Sequence, residues 1–137
     1  MIGKLVERNR DTWLLVARIF LGVLFVFFGS QKILDFSGAT NYLEYLGLPM
    51  PAALAVVAVA IEFLGGLALV LGWRVREVAV VMIVFVGAAA CLGHPFWSMA
   101  AADRAVAELQ FFKNMSIIGG LLLLMVTGAG RFALSRS

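Results

Sequence analysis

Cysteine is almost absent from this chain. Cys91 stands alone, so no internal disulfide can form and no CxxC dithiol exists. Redox chemistry here has to run through a bound cofactor, a quinone or a partner chain. Cys91 itself reads as a small buried apolar residue rather than a reactive thiol. Histidine is equally scarce. His94 alone cannot supply two imidazoles to a haem iron, and no His/Cys/carboxylate set has the spacing of a zinc site. Neither a metal site nor an intrinsic cofactor is expected.

Charge is the third scarcity. Charged residues make up 14% of the chain and hydrophobic residues 63%, against about 25% and about 45–50% in a soluble domain. In 137 residues that apolar excess cannot be hidden, because a small domain leaves much of its surface outside. The solvent of this chain is lipid. No basic face is available for nucleic acid, although the net charge is +3. Strand patterns are also missing. Gly65-Gly66 and Gly119-Gly120 are therefore helix-packing signals and not parts of a phosphate loop. Ser98, near His94, has no orienting acid at a usable spacing.

What the chain does have is four apolar runs: Trp13–Ser30, Ala52–Gly72, Val78–Gly93 and Phe111–Gly130. A span takes about 20 residues, so runs one and three extend through polar flanks. The expected spans are about 13–32, 51–72, 76–94 and 109–130. Backbone groups in lipid must pair within their own segment, which makes each run a helix. The expected fold is an all-α membrane protein, one four-transmembrane-helix bundle over residues 1–137. The first run follows Lys4, Arg8 and Arg10 and lacks a cleavage site, so it reads as a retained span rather than a signal peptide. In loop one, Tyr42, Leu43, Tyr45, Leu46 and Leu48 alternate with polar residues. That pattern predicts a short interfacial helix ended by Gly47 and Pro49-Met50-Pro51. Loop three, His94 to Gln110, has room for another.

Orientation follows from basic residues. Lys4, Arg8, Arg10, Arg74, Arg76, Arg131 and Arg136 gather on one side; Lys32, Arg104 and Lys113 are on the other. The positive-inside rule puts both termini and loop two in the cytoplasm, which in a bacterium makes this a plasma-membrane protein with loops one and three outward.

Arg18 and Glu62 lie inside the spans. Glu62 is about ten residues from either end of its run. An unpaired charge there costs at least about 2.5–3.5 kcal/mol. Arginine can reach several ångströms along the membrane normal, so an Arg18–Glu62 ion pair between helices one and two is expected. It reads equally as a structural clasp and as a protonatable relay. A second group lies toward the outer side: Lys32, His94, Trp97, Gln110, Lys113 and Asn114. Arg18, Gly22, Phe25, Gly29 and Lys32 recur at three- and four-residue steps and share one stripe of helix one. Gly87, Cys91 and His94 do so on helix three, and Gln110, Lys113/Asn114, Ile117 and Gly120 on helix four. Glycine-bearing faces let helices approach closely in lipid, so these stripes predict a polar cup. The plainer readings stay open. Lys32 and Lys113 also suit snorkelling to the interface, His94 a helix cap, and Trp97 an aromatic belt.

These residues resemble the DoxX family. Arg18-x3-Gly22, Gly29-x2-Lys32 and Leu46-Gly47-Leu48-Pro49-x-Pro51 carry the likeness first. Glu62-x2-Gly65-Gly66, His94-x2-Trp97, Lys113-Asn114 and Gly119-Gly120 continue it, from about Trp13 to Gly130. The resemblance implies a four-helix bacterial inner-membrane protein. It also implies links to quinone-coupled oxidation of sulfur compounds, to oxidative-stress systems, or to assembly and disulfide formation. A lone cysteine does not suit the last.

Three functions follow as expectations. The first is a membrane oxidoreductase component binding a quinone-like or small anionic molecule. Lys32, His94, Gln110 and Lys113 would be donors, Glu62 a proton acceptor, and Arg18 its charge partner. The second is a small transporter coupled to protons through Glu62. The third is a non-catalytic scaffold for soluble oxidoreductases. The partners these readings admit are the lipid bilayer, a quinone or small anion, a soluble oxidoreductase and a second copy of the chain.

Overall fold

The computed structural model describes residues 1–135. Arg136, counted above among the basic residues, lies outside them. The elements are α1 (Ile2–Arg8), α2 (Arg10–Leu34), α3 (Phe36–Tyr45), α4 (Pro51–Leu71), α5 (Val75–Gly93), a 3-10 turn (Phe96–Ser98) and α6 (Ala101–Thr127). Four of them are long and apolar enough to cross a membrane: α2, α4, α5 with its 3-10 extension, and α6.

Local chemistry sets the boundaries. Asp35 ends α2 and caps α3, accepting from the Gly38 N–H at 3.0 Å; a side-chain oxygen there satisfies a helix-start donor. Pro51 begins α4, where a missing N–H costs nothing. Gly72 ends it at φ 74°. The Trp73 N–H reaches Ala68 O at 2.9 Å and the Gly72 N–H reaches Leu69 O at 3.2 Å, the paired bonds of a left-handed helix stop.

The interfacial helix expected in loop one forms, but as Phe36–Tyr45, starting earlier than its aromatic pattern suggested. Loop three differs more. Only Phe96–Ser98 is a separate turn, and Ala101 already belongs to α6. Residues 101–118 contain no proline or glycine, and alanines dominate their first turns, so nothing stops one long helix. Helix four therefore starts about eight residues before the expected 109. Gly128, at φ 77°, ends it near Thr127. The N-terminal helix α1 was not foreseen.

α2 runs antiparallel to α4, α4 packs on α5, and α5 on α6. The α2–α4 contact is backbone against backbone. A Cβ at Gly66 would sit 2.7 Å from Gly22 O, and one at Gly29 would sit 2.8 Å from Phe63 N. The core joins Phe25, Leu69, Met82, Val86, Leu121 and Leu124. Outward faces are apolar too, with Phe20 75% and Leu123 68% exposed, as lipid-facing positions require. Cys91 is also exposed, contrary to its expected burial. The inner stripe of α5 runs through Val86 and Ala90, one residue round from Gly87 and Cys91.

After α6, the C-terminal segment folds across the end of the bundle that carries the N-terminus. The Arg131 N–H donates to Asp11 Oδ1 at 2.9 Å. The Leu134 and Ser135 N–H groups donate to Leu71 O and Gly72 O.

Candidate functional site

The two intramembrane charges do not pair with each other. Glu62 is 8% exposed, and its Oε2 accepts from Lys32 Nζ at 2.7 Å. Arg18 is fully buried at the terminal end, where its guanidinium donates to Phe132 O. Its Nε and Nη1 have no partner among the described residues. The physical reason is helix register. Gly22 seats on Gly66 and Val70, and Gly29 on Phe63, which brings Lys32 to Glu62 and Arg18 to Gly72. Arg18 and Lys32 are fourteen residues apart on α2, about 21 Å along the axis. The expected Arg18–Glu62 pair, and Arg18's role as charge partner in a relay, are corrected accordingly.

At the opposite end the bundle opens. α4 and α5 are joined tightly by Gly72–Arg74 but part toward Pro51 and Gly93. There a cavity of about 580 Å³ lies between α2, α3, α4, α5 and α6. Its wall carries Lys32, Glu62, His94, Gln110, Lys113 and Asn114. Six of the eight sequence-predicted site residues thus meet around one space, from four elements. The remaining lining is almost wholly apolar, including Phe25, Leu43, Leu46, Ala58 and Phe85. This volume lies in the range of ligand pockets.

Arg18 and Trp97 stand elsewhere. Trp97 is 56% exposed and packs edge-on against Phe96 and Phe111, ring centres 5.3 and 5.6 Å away. It belongs to an aromatic cluster with Phe96, Phe111 and Phe112 and is not among the residues lining the cavity.

Two cavity residues escaped the sequence reading. Phe28 lies close to both cations: Lys32 Nζ is 6.0 Å and Lys113 Nζ 5.8 Å from its ring centre, within cation–π range. Its signal was present, since Phe28 and Lys32 are i,i+4 neighbours. Tyr42 comes from α3, which covers the cavity. Its hydroxyl donates to Gly93 O at 3.3 Å, a hydrogen bond joining α3 to α5. Partial burial, and then the neighbouring Tyr45, push the Tyr42 phenol above its ordinary range. It therefore stays a donor at neutral pH. Tyr42→Phe is expected to speed hydrogen exchange of the α3 amides several-fold, as the loss of one long hydrogen bond worth roughly 0.5–1 kcal/mol requires. The bundle's melting temperature should barely move. Unchanged α3 exchange would mean that the hydroxyl does not hold α3 down.

Lys32 and Glu62 compensate one another. Lys113 has no carboxylate within salt-bridge distance among the described residues. The cavity wall thus carries hydrogen-bond donors and one uncompensated cation in an apolar surround. Among the described residues no three His, Cys, Asp or Glu side chains come together.

Fold and site together define a small integral membrane protein with a largely apolar chamber, carrying a group of polar side chains on its wall, near one end. Comparison with known proteins places it further. The DoxX family matches residues 13–95. Inner membrane protein YphA of Escherichia coli (strain K12) is 38% identical over 127 residues, covering 93% of this chain and 91% of that protein. Inner membrane protein YqjF of the same organism is 34% identical over 130 residues, covering 95% of each. A shorter stretch of 66 residues is 33% identical to the Surfeit locus protein 4 homolog of Schizosaccharomyces pombe, covering 47% of this chain and 22% of that protein. No solved structure matches. The chain belongs to the DoxX family.

Proposed function

We propose that this chain is a component of a membrane oxidoreductase system of the bacterial inner membrane, binding a quinone-like or small anionic molecule in the cavity. The convergence of Lys32, Glu62, His94, Gln110, Lys113 and Asn114 on one apolar-walled space carries this reading. Such a space suits a ligand with a polar head and an apolar body. Ammonium, amide and imidazole groups donate to carbonyl or oxyanion oxygens, and in a site shielded from water those bonds strengthen. Two relatives named as inner membrane proteins support the location. The bias of basic residues toward one side supports both termini in the cytoplasm and the cavity end outward. A soluble oxidoreductase then supplies or removes electrons, since the chain has a single cysteine and no cofactor-binding loop.

The rival reading, a proton-coupled transporter, needs Glu62 free to exchange cations. Its 2.7 Å ion pair with Lys32 favours ligand binding instead. Purified protein in zwitterionic nanodiscs is expected to bind decylubiquinone or a medium-chain carboxylate such as decanoate. Lys113→Gln and Gln110→Ala should each weaken that binding about tenfold, the loss of one good hydrogen bond to a charged or polar head. If neither compound binds above empty nanodiscs, and the purified protein carries no quinone, the reading is overturned.

A further inference from the structure

The cavity's charges do not cancel. Its titratable lining groups are Lys32 from α2, Tyr42 from α3, Glu62 from α4, His94 at the end of α5 and Lys113 from α6. Tyr42 is a neutral phenol, and an imidazole is mostly uncharged at pH 7. Lys32 and Glu62 close on each other at 2.7 Å. Lys113 is left over, touching the Phe28 ring at 5.8 Å. Lys113 is exposed, and a cation at the mouth of an otherwise apolar cavity attracts an anionic head group.

Resting on the binding reading above, we infer that the cavity takes an amphipathic organic monoanion. Its negative head lies between Lys113 and Lys32, and its apolar body lies among Phe25, Leu43, Leu46 and Ala58. Geometry supports the head position. Both ammonium groups rest on the one Phe28 ring, at 5.8 and 6.0 Å from its centre. A carboxylate or phenolate beside that ring meets both. Asn114 and Gln110, on the same wall, supply further amide donors. Charge number matters as well. A neutral molecule leaves Lys113 unbalanced. A dianion overshoots it, and a cation adds to it. Size enters through the apolar lining, which is filled by a chain or ring system and not by a small inorganic ion. Toward the opposite end Arg18 is buried, donating to Phe132 O, and the smaller pocket there pairs its Arg74 with Glu77 at 3.0 Å.

The test is a ten-carbon series that differs only in its head group: decanoate, decanol and decylamine. Each is titrated against the full chain in zwitterionic nanodiscs, with empty nanodiscs subtracted. The wild type is expected to prefer decanoate to decanol by about tenfold or more and to ignore decylamine. Lys113→Gln should remove the preference for decanoate over decanol. Lys113→Glu should turn it toward decylamine. Ala58→Trp, or Leu46→Trp if the first lowers the melting temperature, should abolish saturable binding of decanoate. Equal wild-type affinity for decanoate and decanol overturns the inference, as does a preference that ignores residue 113. If decylubiquinone binds wild type and Lys113→Gln alike while decanoate does not bind, the cavity remains a binding site and the monoanion is wrong. If the tryptophan variants leave every affinity unchanged, the cavity itself is not the site.

Discussion

Lys32→Met is expected to destabilise the bundle by about 3 kcal/mol, the lower end of the cost of breaking a buried ion pair from one side. The reasoning starts from Glu62, which is 8% exposed and sits near the middle of α4. Its oxygen is held by Lys32 Nζ at 2.7 Å. Methionine matches the length of the lysine stem and removes only the charge, so packing against Phe28 is largely kept. What is lost is the partner of a carboxylate that water reaches poorly. Lys32 itself is 35% exposed at its side chain, which keeps the cost near the low end. Lys32→Met combined with Glu62→Leu should recover most of the loss, because replacing both members of a buried pair by apolar groups is often close to neutral. Thermal melting of purified protein in one detergent measures all three. If the double variant melts as low as Lys32→Met, the orphaned carboxylate is not the cause.

Much of this architecture is legible in the amino acids. The stripe Arg18, Gly22, Phe25 and Gly29, read from its three- and four-residue steps, is the buried face of α2. That follows because helical periodicity is a local property and glycine in lipid marks a close approach. Helix boundaries were readable where a stop residue exists, as at Pro51 and Gly72. They were not readable at the start of α6, where an alanine-rich loop contains no stop. Cys91 shows the same limit: one residue of rotation, about 100° on a helix, separates a lipid-facing from an inward position.

Pairing between helices was harder. Arg18 and Glu62 are each conspicuous alone, and sequence offers no ruler between α2 and α4. Their register is set by backbone contact at Gly22, Gly29 and Gly66, which places Lys32 and not Arg18 at the carboxylate. The polar wall of the cavity was foreseeable as a set of residue types on inward stripes. The cover contributed by Tyr42 was not, because α3 packs through tertiary contacts that its short pattern does not encode. Trp97 was grouped with His94 by proximity in sequence, yet the 3-10 turn directs it to Phe96 and Phe111.

The same register implies the second large effect. Gly66→Val is expected to cost more than 3 kcal/mol and to disrupt the Lys32–Glu62 pair along with the helix contact. A Cβ at position 66 meets Gly22 O at 2.7 Å, Val26 N at 2.8 Å and Phe25 Cβ at 2.9 Å. Two of those atoms are backbone, so no rotamer change relieves the clash and α2 must move from α4. Overpacking of this kind usually costs about 1–3 kcal/mol where side chains can adjust, and here they cannot. Glu62 is one helical turn from Gly66, so separating the helices there also lengthens the ion pair. Ligand affinity should then fall together with stability. Gly119→Val is the control. A Cβ at Gly119 meets nothing within 4 Å, and the residue is exposed toward lipid, so that variant should melt within about 0.5 kcal/mol of wild type. Gly65-Gly66 and Gly119-Gly120 look alike in sequence. Equal losses at Gly66 and Gly119 would mean that glycine acts through helix propensity in both places, and that the close α2–α4 contact does not set the register of the site.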